Sequence, residues 1–134
     1  AQLWAQREGE RTFRGHNTRG AEVLMGPVEL ENAFTPGELM QLALAGCAAM
    51  SSDVPIARRL GEDYPATIVA SAQKHETENR YAIMRDTLIL DLSGLDEVEK
   101  EKLADIIARA HAKHCTVGNT ISASAEIEHS ILDA

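Results

Sequence analysis

The chain has 134 residues, which is enough for a buried core but not for two full domains, so we expect a single domain over residues 1–134. Its 21 acidic and 13 basic residues give a net charge of −8, which disfavours nucleic acid or a membrane surface as a partner. No uninterrupted apolar run approaches the roughly 20 residues of a membrane span, and the first residues lack signal-peptide features. We therefore expect a cytoplasmic protein.

Three short strands are predicted before the first helix. Residues 2–7 and 10–15 read as two strands around a turn at residues 8–9. Residues 21–25 alternate weakly as a third strand after a turn at Gly20.

A long helix is predicted from Pro36 to about Arg59. Thr35 suits the N-cap position, and Glu38, three residues later, has the spacing of a capping box. Pro55 removes a backbone donor inside the helix, so we expect it to kink or split the helix near that point.

One of the two cysteines, Cys47, lies on the apolar stripe of this helix. The stripe recurs at steps of three and four residues and comprises Met40, Ala43, Leu44, Cys47, Met50 and Val54. Free cysteine usually behaves as a small buried hydrophobe, so the residues alone favour plain packing. A reactive thiolate at mid-helix gets no help from the helix N-terminus and would need a nearby arginine. The N-terminal region offers Arg7, Arg11, Arg14 and Arg19.

The second half of the chain predicts a hairpin, a helix and a last strand. Residues 66–76 and 81–92 read as paired strands, and a helix capped by Ser93 or Asp96 ends near His114. Cys115 follows the helix, at a position where we expect solvent exposure. A loop over residues 116–119 and a strand over residues 121–131 complete an α+β pattern with hairpin-linked strands.

A metal site is a further interpretation of the second cysteine. His111, His114 and Cys115 are three potential zinc ligands at helix-like spacing. A fourth ligand is not evident, and histidines in the last turn suit the negative end of the helix dipole. We therefore expect no metal.

Two cysteine motifs resemble those of the OsmC/Ohr family of osmotically inducible and organic-hydroperoxide-resistance proteins. The first is Leu-Ala-Leu-Ala-Gly-Cys at residues 42–47, on a helix opened by Thr-Pro-Gly-Glu at residues 35–38. The second is His-Cys-Thr-Val at residues 114–117, and the sequence at residues 125–130 is similar as well. The resemblance covers essentially the whole chain.

This resemblance implies an OsmC-like α+β fold, with antiparallel sheets wrapped around long central helices in an intertwined homodimer. It also implies a peroxidase without a bound cofactor that acts on organic hydroperoxides. Cys47 would be the peroxidatic thiol and Cys115 the resolving thiol. A small dithiol, such as dihydrolipoamide or a lipoylated protein, would reduce the resulting disulfide.

In relatives an N-terminal arginine, held by a glutamate, supports the thiolate. Arg11 is our preferred candidate for that arginine, with Arg7 and Arg14 as alternates. The family glutamate lies ten residues before the cysteine, where this chain has Gly37. Glu38 is adjacent and either replaces that glutamate or serves only as the capping-box residue.

A second departure lies at Thr116, where many relatives have proline; we expect it to affect the rigidity of the loop. The departures leave an alternative function open. The chain would then be a catalytically quiet member of the fold that binds a small apolar ligand at the dimer interface, with both thiols reduced and structural.

Overall fold

A computed structural model describes residues 2–133 of the chain. Its elements, in chain order, are β1 (Leu3–Gly9), β2 (Thr12–Asn17), β3 (Glu22–Met25), α1 (Pro36–Leu60), β4 (Ala66–Lys74), β5 (Tyr81–Leu90), α2 (Glu97–His114) and α3 (Thr116–Ala123). The strands form two antiparallel sheets, β1-β2-β3 and β4-β5, so the predicted α+β class is confirmed. The chain clusters into two compact units, one ending at Leu42 and one beginning at Ala43. The single domain over residues 1–134 stays a prediction.

The turn between β1 and β2 lies two residues later than predicted. The predicted turn at residues 8–9 is wrong because Glu8 lies in β1, where its carboxylate accepts hydrogen bonds from the Arg14 guanidinium at 2.6 and 3.2 Å. The turn instead contains Glu10 and Arg11, and Arg11 adopts a left-handed backbone conformation with φ 51°. This conformation is uncommon for a residue other than glycine, so the sequence pattern favours a turn at residues 8–9, which include Gly9.

The first helix, α1, begins where the capping pattern predicts. The Glu38 N–H donates to Thr35 Oγ1 at 3.1 Å, and the Thr35 N–H donates to Glu38 Oε1 at 2.8 Å. The helix continues through Pro55, so the predicted split does not occur; one missing donor costs a 25-residue helix a single internal hydrogen bond. By length and composition α1 could cross a membrane, but core helices of soluble proteins pass the same test.

The buried face of α1 is not the predicted stripe. The buried residues of this helix are small or compact, and they are Ala45, Ala48, Ser52 and Ile56. Met50 and Val54, which the sequence pattern placed on the apolar face, are 80% and 58% exposed. The Ser52 hydroxyl is satisfied inside the helix, because it donates to the Ala48 carbonyl at 3.0 Å. Apart from Ile56, the buried face of this helix therefore consists of small residues.

The β4-β5 hairpin lies where it is predicted, and its antiparallel register is regular except for a shift between Gln73 and Lys74. Side chains alternate between an exposed and a half-buried face. Three paired positions on the half-buried face are Ile68 with Leu88, Ala70 with Asp86, and Ala72 with Met84. Asp86 is therefore a carboxylate on an otherwise apolar face.

The chain after α2 differs most from prediction. Asp96 caps α2 through a full capping box, and Cys115 is both the C-cap of α2 and the N-cap of α3. The predicted loop at 116–119 and strand at 121–131 are wrong, because residues 116–123 form α3 and residues 125–133 have no regular structure. A strand needs a partner, and residues 125–133 pair with no strand in the part of the chain that the structure describes.

Candidate active site

The fold brings the two cysteines together. Cys47, halfway along α1, is half-buried, and Cys115, at the junction of α2 and α3, is 4% exposed. Both are free thiols, and they lie close enough for each to shift the pKa of the other. The expected exposure of Cys115 is wrong because the chain does not run into an open loop at this point; it turns directly into another helix.

The pKa of the Cys47 thiol is lowered chiefly by backbone groups at the start of α3. A hydrogen bond from the Val117 N–H is the largest of the effects that lower the pKa of Cys47, followed by the bond from Cys115. The N–H groups of Thr116 and Gly118 lower this pKa further, whereas burial opposes the shift. As expected, Cys47 lies too far from the N-terminus of its own helix to be assisted by it. The donors belong to α3, a helix that the sequence pattern did not predict.

The pKa of the Cys115 thiol moves in the opposite direction. Burial raises this pKa most, and the hydrogen bond to Cys47 and the negative charges of Cys47 and Asp86 raise it further. The Gly118 N–H partly offsets these effects. Sequence analysis missed Asp86; the available signal was an acidic residue in phase with the apolar residues of β5.

The α2-α3 corner is held closely around the second thiol. The Asn119 side chain donates to the Ala112 carbonyl at 3.2 Å, and the Asn119 N–H donates to the Cys115 carbonyl at 3.0 Å. A Cβ atom added to Gly118 would lie 3.1 Å from Cys115 Sγ and 3.5 Å from Leu44 Cδ1. Only glycine lets the backbone come this close to the sulfur.

The predicted supporting residues lie in the N-terminal unit. Glu38 is engaged in the capping box, and Arg14 is paired with Glu8, which raises the pKa of the Arg14 guanidinium. Arg11 lines a cavity of about 530 Å³ in that unit, and Arg7 lies on β1. The assistance of any of these residues to Cys47 stays a prediction.

The histidines near Cys115 do not gather metal ligands. Within residues 2–133, no three His, Cys, Asp or Glu side chains are grouped as a metal site would require. His111 contributes its carbonyl, which accepts from the Cys115 N–H at 3.0 Å, and its buried Nε2 has no hydrogen-bond partner among the same residues.

Known proteins resemble this chain in both sequence and fold. The model of the family described as OsmC-like protein matches residues 29–130, a span that includes both cysteines. Uncharacterized proteins of Mycobacterium tuberculosis (strain H37Rv) and Mycobacterium bovis are each 46% identical over 132 residues, covering 98% of this chain and 96% of the relative.

Solved structures extend the likeness at lower identity. An OsmC-like protein from Mycoplasma pneumoniae has a TM-score of 0.63 at 13% identity, over 91% of this chain and 86% of that one. The organic hydroperoxide resistance protein OhrB of Bacillus subtilis has a TM-score of 0.50 at 19% identity, over 88% and 87%. These likenesses concern the fold, and the family match concerns the sequence itself. The chain belongs to the OsmC-like protein family.

Proposed function

We propose that this protein is a thiol-dependent peroxidase that reduces organic hydroperoxides through a cycle of Cys47 and Cys115. The observation that carries the proposal is the proximity of two free thiols whose pKa values are shifted in opposite directions. A lowered pKa favours the thiolate, which is the nucleophilic form of cysteine, at Cys47. A raised pKa keeps Cys115 protonated until Cys47 has been oxidised.

In the first step the Cys47 thiolate attacks the O–O bond of the hydroperoxide. An S–O bond forms, the O–O bond breaks, and the leaving alkoxide takes a proton and departs as the alcohol. The sulfur is oxidised by two electrons to a sulfenic acid, and the peroxide is reduced by the same two.

In the second step the sulfur of Cys115 attacks the sulfur of Cys47. The S–S bond forms as the S–O bond breaks, and the hydroxide that leaves takes the Cys115 proton to become water. A small dithiol, such as dihydrolipoamide or a lipoyl group on a protein, then restores both thiols by exchange and is itself oxidised to a disulfide.

An organic hydroperoxide suits the apolar surroundings of the pair. Leu44 lies beside Gly118 at the junction, one helical turn before Cys47. The alkyl group of an organic hydroperoxide gains free energy when it leaves water for such a surface, whereas hydrogen peroxide has no alkyl group to bury. A reducing cytoplasm would keep both thiols free between turnovers.

A homodimer is part of the proposal, because the single chain exposes many large apolar side chains. Several on α1 and near both ends of the described chain are widely exposed, including Leu3, Met50, Val54, Ile127 and Ile131. Large apolar side chains that a single chain leaves exposed are often covered at protein interfaces.

The test is the consumption of cumene hydroperoxide with dihydrolipoamide as the reductant. Wild type is compared with Cys47→Ser, Cys115→Ser and a control, Gly46→Ala, which alters the neighbour of Cys47 at a position where an added Cβ meets no atom within 4 Å. We expect turnover in wild type and the control, and none in either cysteine variant.

The opposite result is equally informative. A wild type without turnover, in which both thiols still titrate as free, contradicts the peroxidase. It favours the alternative of a catalytically quiet protein that binds a small apolar ligand.

A further inference from the structure

Gly118 lies between the second thiol and the first helix. A Cβ atom added to this glycine would lie 3.1 Å from Cys115 Sγ and 3.5 Å from Leu44 Cδ1, so both atoms lie within 4 Å of one point. Leu44 precedes Cys47 on α1 by three residues, and residues at this spacing share a face of a helix. The first turn of α3 therefore packs its glycine against the face of α1 that carries Cys47.

The backbone conformation does not explain this glycine. Gly118 lies inside α3, and in the described part of the chain positive φ values among the glycines occur only at Gly20 and Gly61. Other residues adopt a helical φ as readily, and glycine is among the poorest helix formers. What glycine supplies at this position is space, because a contact of 3.1 Å to the Cys115 sulfur is tighter than most Cβ atoms make.

The backbone of Cys115 is held from both sides. Its N–H donates to the His111 carbonyl at 3.0 Å, and its carbonyl accepts from the Asn119 N–H at 3.0 Å. The Asn119 side chain also donates to the Ala112 carbonyl at 3.2 Å, which ties α3 back to the last turn of α2. With the backbone held, the sulfur changes position chiefly by rotation about the Cα–Cβ bond, which has three staggered positions. A methyl group at position 118 would crowd the position that the sulfur occupies.

We propose that Gly118 is a positioning residue for Cys115: because it has no Cβ, the sulfur can stay beside α1, within reach of Cys47, and Asn119 holds the corner in this arrangement. The mutual pKa shifts of the two thiols agree with such proximity. The catalytic meaning of this inference rests on the proposed peroxidase function, in which Cys115 must reach the oxidised sulfur of Cys47 before a second peroxide does. The pairing of the two thiols, however, is measured without any peroxide.

The experiment measures how readily the two thiols pair in mixtures of reduced and oxidised glutathione. Each protein disulfide that forms consumes one oxidised glutathione and releases two reduced ones, so the paired fraction at equilibrium gives an equilibrium constant for pairing. After an acid quench the remaining thiols are alkylated and counted by intact-mass spectrometry. Circular dichroism checks the fold of every variant.

Gly118→Ala is the main variant. We expect its pairing constant to fall about tenfold, because the methyl group displaces the sulfur from its present rotamer. The matched control is Gly46→Ala, which should keep the wild-type constant. Gly46 is also a helical glycine and is next to Cys47, but an added Cβ there meets no atom within 4 Å. The two variants therefore separate crowding at the sulfur from the general effect of alanine in a helix.

A second pair of variants covers the case in which Gly118→Ala does not fold. Asn119→Ala removes the tie between α3 and α2, so we expect a fall of about threefold in the pairing constant. Its control is Thr120→Ala, which removes a hydrogen bond to the Thr116 carbonyl within α3 and should leave the constant unchanged. Equal constants within each pair that folds would overturn the proposal. So would a wild type that forms only mixed disulfides with glutathione.

Excess cumene hydroperoxide connects the pairing to the proposed cycle. Wild type and Gly46→Ala should stop at the disulfide. In Gly118→Ala a second hydroperoxide should oxidise the waiting sulfenic acid, so that Cys47 gains two oxygen atoms as a sulfinic acid.

The two proposals fail separately. If Gly118→Ala lowers the pairing constant but wild type consumes no hydroperoxide, the positioning role stands and the peroxidase is wrong. If wild type turns over while Gly118→Ala and Asn119→Ala pair as readily as their controls, the peroxidase stands and the positioning role is wrong.

Discussion

Cys47 and Cys115, which are 68 positions apart in the chain, lie close enough for each thiol to shift the pKa of the other. The two sulfurs differ in their chemistry, because the Val117 N–H is the largest of the effects that lower the pKa of Cys47, whereas burial raises the pKa of Cys115. Nothing in either cysteine's local sequence motif sets this division. It arises where α1 meets the corner between α2 and α3.

The roles of the two thiols can be read from a single oxidation event. With one equivalent of cumene hydroperoxide, wild type should lose two hydrogen atoms as the disulfide forms, and Cys115→Ser should gain one oxygen atom at Cys47. Intact-mass spectrometry with a sulfenic-acid trap distinguishes these products. Cys47→Ser is the control and should stay unmodified; oxidation of Cys115 in that variant at the wild-type rate would reverse the assignment.

The order of alkylation should follow the direction of the pKa shifts. Because α3 donors lower the pKa of Cys47, it should react with iodoacetamide below the ordinary cysteine value of about 8.5. Burial raises the pKa of Cys115, so that thiol should react only above the same value. Peptide mapping across pH 6 to 10 measures both; faster labelling of Cys115 at neutral pH would contradict the assignment.

The same two pKa shifts make the free energy of unfolding depend on pH in opposite directions. The folded pKa of Cys47 is lowered, so its stabilising contribution is present above the unfolded pKa and is lost as pH falls through the folded pKa. The folded pKa of Cys115 is raised, so its contribution is present below the unfolded pKa and is lost as pH rises through the folded pKa. Urea unfolding of Cys47→Ser and Cys115→Ser against wild type should show these opposite trends.

Replacing Asp86 should make the resolving thiol easier to ionise. The Asp86 carboxylate lies on the half-buried face of β5, and its negative charge raises the pKa of Cys115. In Asp86→Asn we expect the alkylation midpoint of Cys115 to fall while that of Cys47 changes less. Glu101→Gln, on the exposed surface of α2, makes the same change in net charge and should move neither midpoint. An equal shift in both variants would mean that overall charge is responsible.

The buried face of α1 can be tested with two neighbouring residues. Ile56 is 1% exposed, so Ile56→Ala should cost about 2–5 kcal/mol of unfolding free energy. Val54 is mostly exposed, so Val54→Ala should cost less than about 1 kcal/mol. Urea denaturation measures both. A larger loss for Val54→Ala, together with weaker dimerisation of that variant, would show instead that this side chain is buried between two copies of the chain.

Local signals predicted most of the secondary structure. The capping pair of Thr35 and Glu38 located the start of α1, and Asp96, one of two predicted caps beside Ser93, is the residue that caps α2. Each of these helix starts depends on residues within four positions of one another, so the local sequence is enough to predict it. The prediction that the apolar stripe of α1 is its buried face was wrong, because burial depends on which neighbours approach the helix. Small residues such as Ala48 permit the closest approach.

The two cysteines were identifiable from their motifs, but the environment of Cys47 was not. The Thr116–Ala123 segment has no capping side chain at its start, and Gly118 lowers its helix propensity, so the sequence predicts a loop over residues 116–119 and a strand from residue 121 instead of a helix. The donors to Cys47 are backbone atoms, which carry no residue signature. Asp86 was missed for a related reason, because its influence on Cys115 acts between segments far apart in sequence.

Because Cys47 and Cys115 are far apart in the sequence, the oxidation state of the pair should also change the stability of the folded chain. A disulfide between them closes a loop of about 68 residues, and in the chain-entropy model such a loop destabilises the unfolded ensemble by about 4 kcal/mol. The oxidised protein, waiting for its reductant, would then resist unfolding and proteolysis better than the reduced one. Exposure to peroxide would lengthen the lifetime of the molecules that have just reacted with it.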